Sequence, residues 1–235
     1  MRNALQMQVD AHAVWGQGVA ARAEFIRRTY VHLFGAILGF TLIEVVAFKS
    51  GAAEPIARTL LTLPGGWLVV LGGFMVVSWL ASRVAHTARS LSAQYAALAA
   101  FVAAEALIFV PLLYIAGSYY PDAISSAAVV TLFGFTGLTA IVFVTGKDFS
   151  FMRGVLMWGG LCALGAIVAA VIFGFTLGPL FSVLMIAFAG AAILYDTSNV
   201  LHHYPRDRYV GAALELFASV ALMFWYVLRL FMSRD

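Results

Sequence analysis

The chain has 235 residues, of which 63% are hydrophobic and only 11% charged, with a formal net charge of +3. Soluble domains carry about 25% charged residues, and no soluble fold of this length has interior enough for so much apolar surface. The positive charge is small and dispersed, with no Lys/Arg-rich run interleaved with aromatics, which excludes the usual nucleic-acid footprint.

Residues 1–28 hold Arg2, Asp10, Arg22, Glu24, Arg27 and Arg28. They lack the uninterrupted apolar stretch of a cleavable secretory signal, so a polar, amphipathic tail is expected there. A membrane domain is expected over 29–231, followed by a short C-terminal tail at 232–235. About 20 mostly apolar residues are needed to cross a bilayer as a helix. Seven segments qualify: 29–48, 65–82, 94–116, 125–145, 155–174, 180–201 and 211–231. Breaks fall at Pro64-Gly65-Gly66, Pro121, Gly146, Gly178-Pro179 and Pro205. The runs are too long for barrel strands and do not alternate in polarity. A helix pairs every backbone N–H and C=O within its own segment, as lipid requires. The expected fold is therefore an all-α integral membrane bundle of seven transmembrane helices.

Ten of the fourteen Lys and Arg residues fall on one side of these spans, in the tail and near Arg83, Lys147 and Arg206. Positive residues concentrate on the cytoplasmic side, so the N-terminus is expected in the cytoplasm and the C-terminus outside it. The single cysteine, Cys162, lies in an apolar run and permits no intramolecular disulfide. His202 and His203 are adjacent, diverge by about 100° on a helix, and chelate poorly.

Charges at membrane depth cost about 2.5–3.5 kcal/mol each on insertion scales. Glu44 and Arg229 lie near span ends and are expected to snorkel toward the headgroups. Glu105 is mid-span, between Ala104 and Ala106. It has two readings: a carboxyl that hydrogen-bonds two helices together, or a polar lining for a cavity. Asp196 and Glu215 lie about equally far from the turn centred near Arg206, so a helical hairpin puts them at similar depth. Ala189, Ala192 and Asn199 share the Asp196 face. Gly211, Ala212, Ala218 and Ser219 share that of Glu215. Small residues allow close helix approach. Two carboxylates held together in low dielectric cannot both stay ionised, so the pair is expected to act as a proton-sharing latch.

Three short runs occur in order: Lys147-Asp148-Phe149-Ser150-Phe151; Leu194-Tyr195-Asp196-Thr197-Ser198-Asn199; and Ala212-Ala213-Leu214 leading to Leu228-Arg229-Leu230. Arg27-Arg28-Thr29-Tyr30 opens the first span. With seven spans, this pattern resembles the Bax inhibitor-1 family, also called the transmembrane Bax-inhibitor-motif family. The terminal Ser233-Arg234-Asp235 brings it nearest the bacterial YccA type. The resemblance implies a bundle with the seventh helix central and an address in the bacterial inner membrane, with a periplasmic C-terminus. It implies one of two roles: a modulator of the membrane AAA protease FtsH, or a pH-sensitive calcium leak gated by acids of helices six and seven. Asp196 takes the position of the family's helix-six aspartate, where transient calcium is expected, and Arg229 that of the helix-seven arginine. The helix-seven aspartate position falls on Ser219, a departure shared with the YccA type. Glu215, one turn earlier, is the remaining acid that can substitute. Tyr195-Asp196 resembles half of an aspartyl intramembrane protease motif, but a Gly-x-Gly-Asp partner and a His-Glu-x-x-His motif are both absent. No enzymatic activity, cofactor or resident metal is expected, and the bilayer is the principal partner.

Overall fold

The structure, a computed structural model, describes residues 2–62 and 66–233. Among them the regular elements are helices: α1 (Arg2–Lys49), α2 (Ala53–Thr62), α3 (Gly66–Thr87), α4 (Leu91–Tyr119), α5 (Ala123–Thr145), a 3-10 turn (Ser150–Met152), α6 (Arg153–Phe173), α7 (Pro179–His202) and α8 (Tyr209–Met232). Seven are long and apolar enough to cross a bilayer: α1 from Ala20 onward, and α3 to α8. Pro64-Gly65, Arg234 and Asp235 lie outside the described residues.

Local chemistry explains the ends. Gly146 and Gly174 follow α5 and α6 with φ of 61° and 71°, and their N–H groups close onto Val142 and Ala170 carbonyls. Glycine takes this left-handed conformation without a Cβ clash. Pro179 opens α7, where its missing N–H costs nothing. Pro111 lies inside α4 and is buried there.

Two features depart from the sequence expectation. The connection after the first span contains the short helix α2, which packs on α4, α3 and α1. Its Ala53 and Ala57, one turn apart, are buried beside Val110. On its exposed face Glu54 pairs with Arg58 at 2.6 Å. A search for spanning lengths misses an amphipathic helix of 10 residues. The second span also runs on to Thr87 rather than ending near 82. Its polar residues Ser82 and His86 are hydrogen-bonded inside the protein, so they do not terminate the helix at the membrane boundary.

Helix α8 is central. It packs against α7, α1, α5, α4 and α3, and its buried residues run around the whole circumference. A helix apolar on all sides belongs in an interior. Small residues on it, among them Gly211, Ala212 and Ala213, let neighbours approach closely. Aromatic rings bind α1, α4 and α8 together: Phe109 lies 5.1 Å from Phe40 and 4.9 Å from Trp225, centroid to centroid. Helix α6 is peripheral. It has no buried residue and packs on α7 and the 3-10 turn.

Candidate functional site

Asp196 sits in the last third of α7, part-buried against α8. The Ser219 hydroxyl donates to its Oδ2 at 2.6 Å. Glu215, one turn earlier on α8, is turned toward α3 instead, where Ser82 donates to its Oε1 at 2.6 Å. Among the described residues no hydrogen bond joins the two carboxyls. The structure therefore brings Asp196 together with Ser219, and Glu215 together with Ser82 and His86.

The Glu215 side continues into a network. His86 Nδ1 is 2.7 Å from the Ser82 carbonyl and 3.8 Å from Glu215 Oε1. A carbonyl only accepts, so Nδ1 carries a proton and donates. In the neutral ring Nε2 then accepts from the Tyr204 hydroxyl, 3.1 Å away. Tyr204 lies in the connection between α7 and α8. Its hydroxyl is held far above the usual phenol range, first by burial and then by the nearby Glu215 and Asp196 carboxyls. Arg22 closes the same end. Its guanidinium donates to the carbonyls of Leu201, at 2.9 Å, and Tyr204, at 2.7 Å. Arg208 ties the connection to the α3–α4 turn through the Ala88 carbonyl.

A second clasp joins two of the sequence motifs. Asp148 accepts from the Ser150 backbone N–H at 2.8 Å and from the Ser198 hydroxyl at 3.2 Å, and it lies 2.8 Å from His203 Nε2. Phe149 N–H in turn donates to Ser198. The α5–α6 connection is thus pinned to the end of α7. The Ser150 N–H and then His203 hold the Asp148 carboxyl well below the usual carboxylate range. A depressed acid stabilises the folded state fully above its unfolded value, near 3.9, and loses that contribution as pH falls through the lower folded value. Asp148→Asn is therefore expected to melt lower than the parent at pH 7, with the gap closing as pH drops below about 4. Thermal unfolding across a pH series checks this; a gap that stays constant into acid contradicts it.

The remaining acids lie elsewhere. Glu105 is buried on α4 with its Oε2 unpartnered. It lines a cavity of about 1060 Å³ bounded by α3, α4, α6, α7 and α8, which also includes Arg229. Arg229 donates to the Leu177 carbonyl at 2.9 Å. It lies ten residues past Ser219 on α8, about 15 Å along the helix, and does not join Asp196. Glu44 does not reach the headgroups as expected: it is 6% exposed, and both of its carboxyl oxygens are buried without partners. Among the described residues no group of three His, Cys, Asp or Glu converges as a metal site.

The sequence reading passed over Ser82, His86 and Tyr204. A usable signal existed for two of them, because Ser82 and His86 are one turn apart at the end of an apolar run. Nothing local points to Tyr204.

The fold and its polar seams define a seven-span helical membrane protein whose spans are joined by interhelical hydrogen bonds. The chain matches the family described as inhibitor of apoptosis-promoting Bax1 over residues 22–235, and it belongs to that family, the Bax inhibitor-1/YccA family. It is 35% identical to the uncharacterized protein PA2604 of Pseudomonas aeruginosa over 109 residues, 46% of this chain and 49% of that protein. It is 30% identical over 202 residues to the modulator of FtsH protease YccA of Escherichia coli K12, covering 83% of this chain and 89% of that one. The same figures hold for the inner membrane protein YccA of Escherichia coli O6:H1.

Proposed function

We propose that this chain is a non-enzymatic, multi-pass inner-membrane protein that modulates the membrane AAA protease FtsH, with its N-terminus in the cytoplasm. The observation that carries this reading is the match along 83% of the chain to a relative named as a modulator of that protease. The face at the start of the spanning part of α1 supports it. Arg27 and Arg28 are exposed there and share Glu24, at 2.8 and 2.7 Å. Arg22 on the same helix is held by α7 and its connection. Two solvent-facing guanidiniums on a rigid helix are suited to an acidic partner surface. Pull-down of the tagged full chain from membranes is expected to recover FtsH, and Arg27→Glu with Arg28→Glu is expected to weaken recovery by about tenfold. Absence of FtsH, together with unchanged turnover of its membrane substrates in a deletion strain, rejects the reading.

The Asp196–Ser219 contact favours a second role, a pH-sensitive cation leak. An acid that accepts a 2.6 Å hydrogen bond across the α7–α8 seam is placed to hold that seam shut in one protonation state. Calcium flux into proteoliposomes is expected to change with pH, and Asp196→Asn is expected to abolish that change. Flux that is flat at every pH removes this role.

A further inference from the structure

Helices α1 and α5 both pack on α8, and aromatic side chains join them at one end. Near the start of the spanning part of α1, Tyr30 packs on Phe135 and Phe143 of α5, with centroids 6.4 and 6.0 Å apart. Farther along both helices a gap lies between them, floored by Phe217, Val220, Ala221 and Phe224 of α8. The wedge between them is a cavity of about 440 Å³, within the range of about 300–1,000 Å³ that holds small organic ligands. Its walls are single helix faces. On α1 they are Ile37, Phe40, Glu44 and Phe48, at steps of three and four residues. On α5 they are Ile124, Ala128 and Thr131. Leu132 and Val45, also in the lining, are 52% and 42% exposed on the outer surface, so the cavity opens sideways into lipid.

Three polar side chains stand in this apolar lining: Thr41 donates to the Ile37 carbonyl at 2.8 Å, whereas Glu44 and Thr131 have no partner. Glu44 is 6% exposed and Thr131 3%. Both Glu44 oxygens and the Thr131 hydroxyl are inaccessible and without hydrogen bonds. Buried polar groups are nearly always satisfied, and an orphaned carboxyl in apolar surroundings is costly. No Lys or Arg is among the residues lining the cavity. The missing complement is a hydrogen-bond donor, best a cationic one, on an apolar body that enters from the bilayer. From this geometry we infer that the wedge between α1 and α5 is an intramembrane binding site for a lipophilic amine, the Glu44 carboxyl turning into the wedge to accept from its ammonium group, with Thr131 as the neighbouring acceptor.

The test uses the full chain in nanodiscs and three photoreactive probes with the same diazirine-bearing alkyl chain, ending in an amine, an alcohol or a carboxylate. The amine is expected to label 37–48 and 124–132 saturably and to be displaced by unlabelled dodecylamine, whereas the alcohol labels the same peptides more weakly. Glu44→Gln is expected to lower amine labelling by about tenfold, the least loss expected for a hydrogen bond to a charged group, and to leave alcohol labelling unchanged. Ala128→Phe fills the wedge and is expected to abolish labelling by both, which keeps the test decisive if the Glu44 variant fails to fold. The inference is overturned by equal labelling with amine and alcohol in the parent chain, or by labelling spread evenly over every lipid-facing helix, which is bilayer partitioning only. Amine labelling that survives either substitution overturns it as well.

Discussion

Gly211→Leu is expected to destabilise the protein by about 3 kcal/mol, the upper part of the range for overpacking a tight contact. A Cβ on Gly211 meets the Ala85 carbonyl oxygen at 3.2 Å, the His86 ring at 3.3 Å and the Ala85 carbonyl carbon at 3.4 Å. Two of these neighbours are backbone atoms of α3, which cannot rotate away. A single methyl is accommodated by a shift of a few tenths of an ångström, partly offset by the better helix propensity of alanine. The leucine branch has to separate α3 from α8, and that opens the Ser82–Glu215 hydrogen bond and the His86–Tyr204 contact beside it. Gly211→Ala is therefore expected to lie close to the parent and Gly211→Leu far below it. Thermal unfolding in detergent measures the difference, and equal melting of the two variants contradicts the close approach.

Arg22→Ala is expected to cost about 2–3 kcal/mol, on the scale of hydrogen bonds to charged groups. The guanidinium reaches the Leu201 carbonyl in the last turn of α7 and the Tyr204 carbonyl just beyond it, where a helix leaves C=O groups unsatisfied and its dipole favours a cation. Its centre also lies 5.0 Å from the Phe25 ring centroid, a cation–π contact. Arg22→Lys is expected to recover less than half of the loss, because a point ammonium does not reproduce a planar fork that donates to two acceptors and stacks. Unfolding in a graded sodium dodecyl sulfate titration reads both variants. A lysine variant as stable as the parent shows that charge alone suffices there.

The two positions differ in how much of their role a sequence reveals. Arg22 stands shortly before Arg27 and Arg28, beside Glu24, and reads as a topology signal or a partner contact. Its engagement with Leu201 lies 179 positions away in the chain, and only the fold of α7 back onto α1 brings them together. Gly211 reads in the sequence as a small residue on the Glu215 face, but the helix it admits is α3 rather than α7. The Asp196 hairpin shows the same limit. Depth arithmetic pairs Asp196 with Glu215, whereas the hydroxyl that donates to Asp196 is that of Ser219. Glu215 and Ser219 share one face, a turn apart, and depth alone does not choose between them. The choice follows from α3, where Ser82 takes Glu215 and leaves Ser219 to Asp196.

Apolar runs of spanning length, their order and the short connections between them are properties of consecutive residues, because each backbone must satisfy its own hydrogen bonds in lipid. The sequence by itself therefore determined an all-α membrane bundle of seven spans and the family motifs strung along it. Tertiary structure alone decided which acid meets which donor, that α6 stands at the edge, and that Glu44 turns inward to a wedge between α1 and α5. A helix can be rotated about its axis without changing its apolar content, so azimuth and neighbour are set by packing between segments distant in the chain.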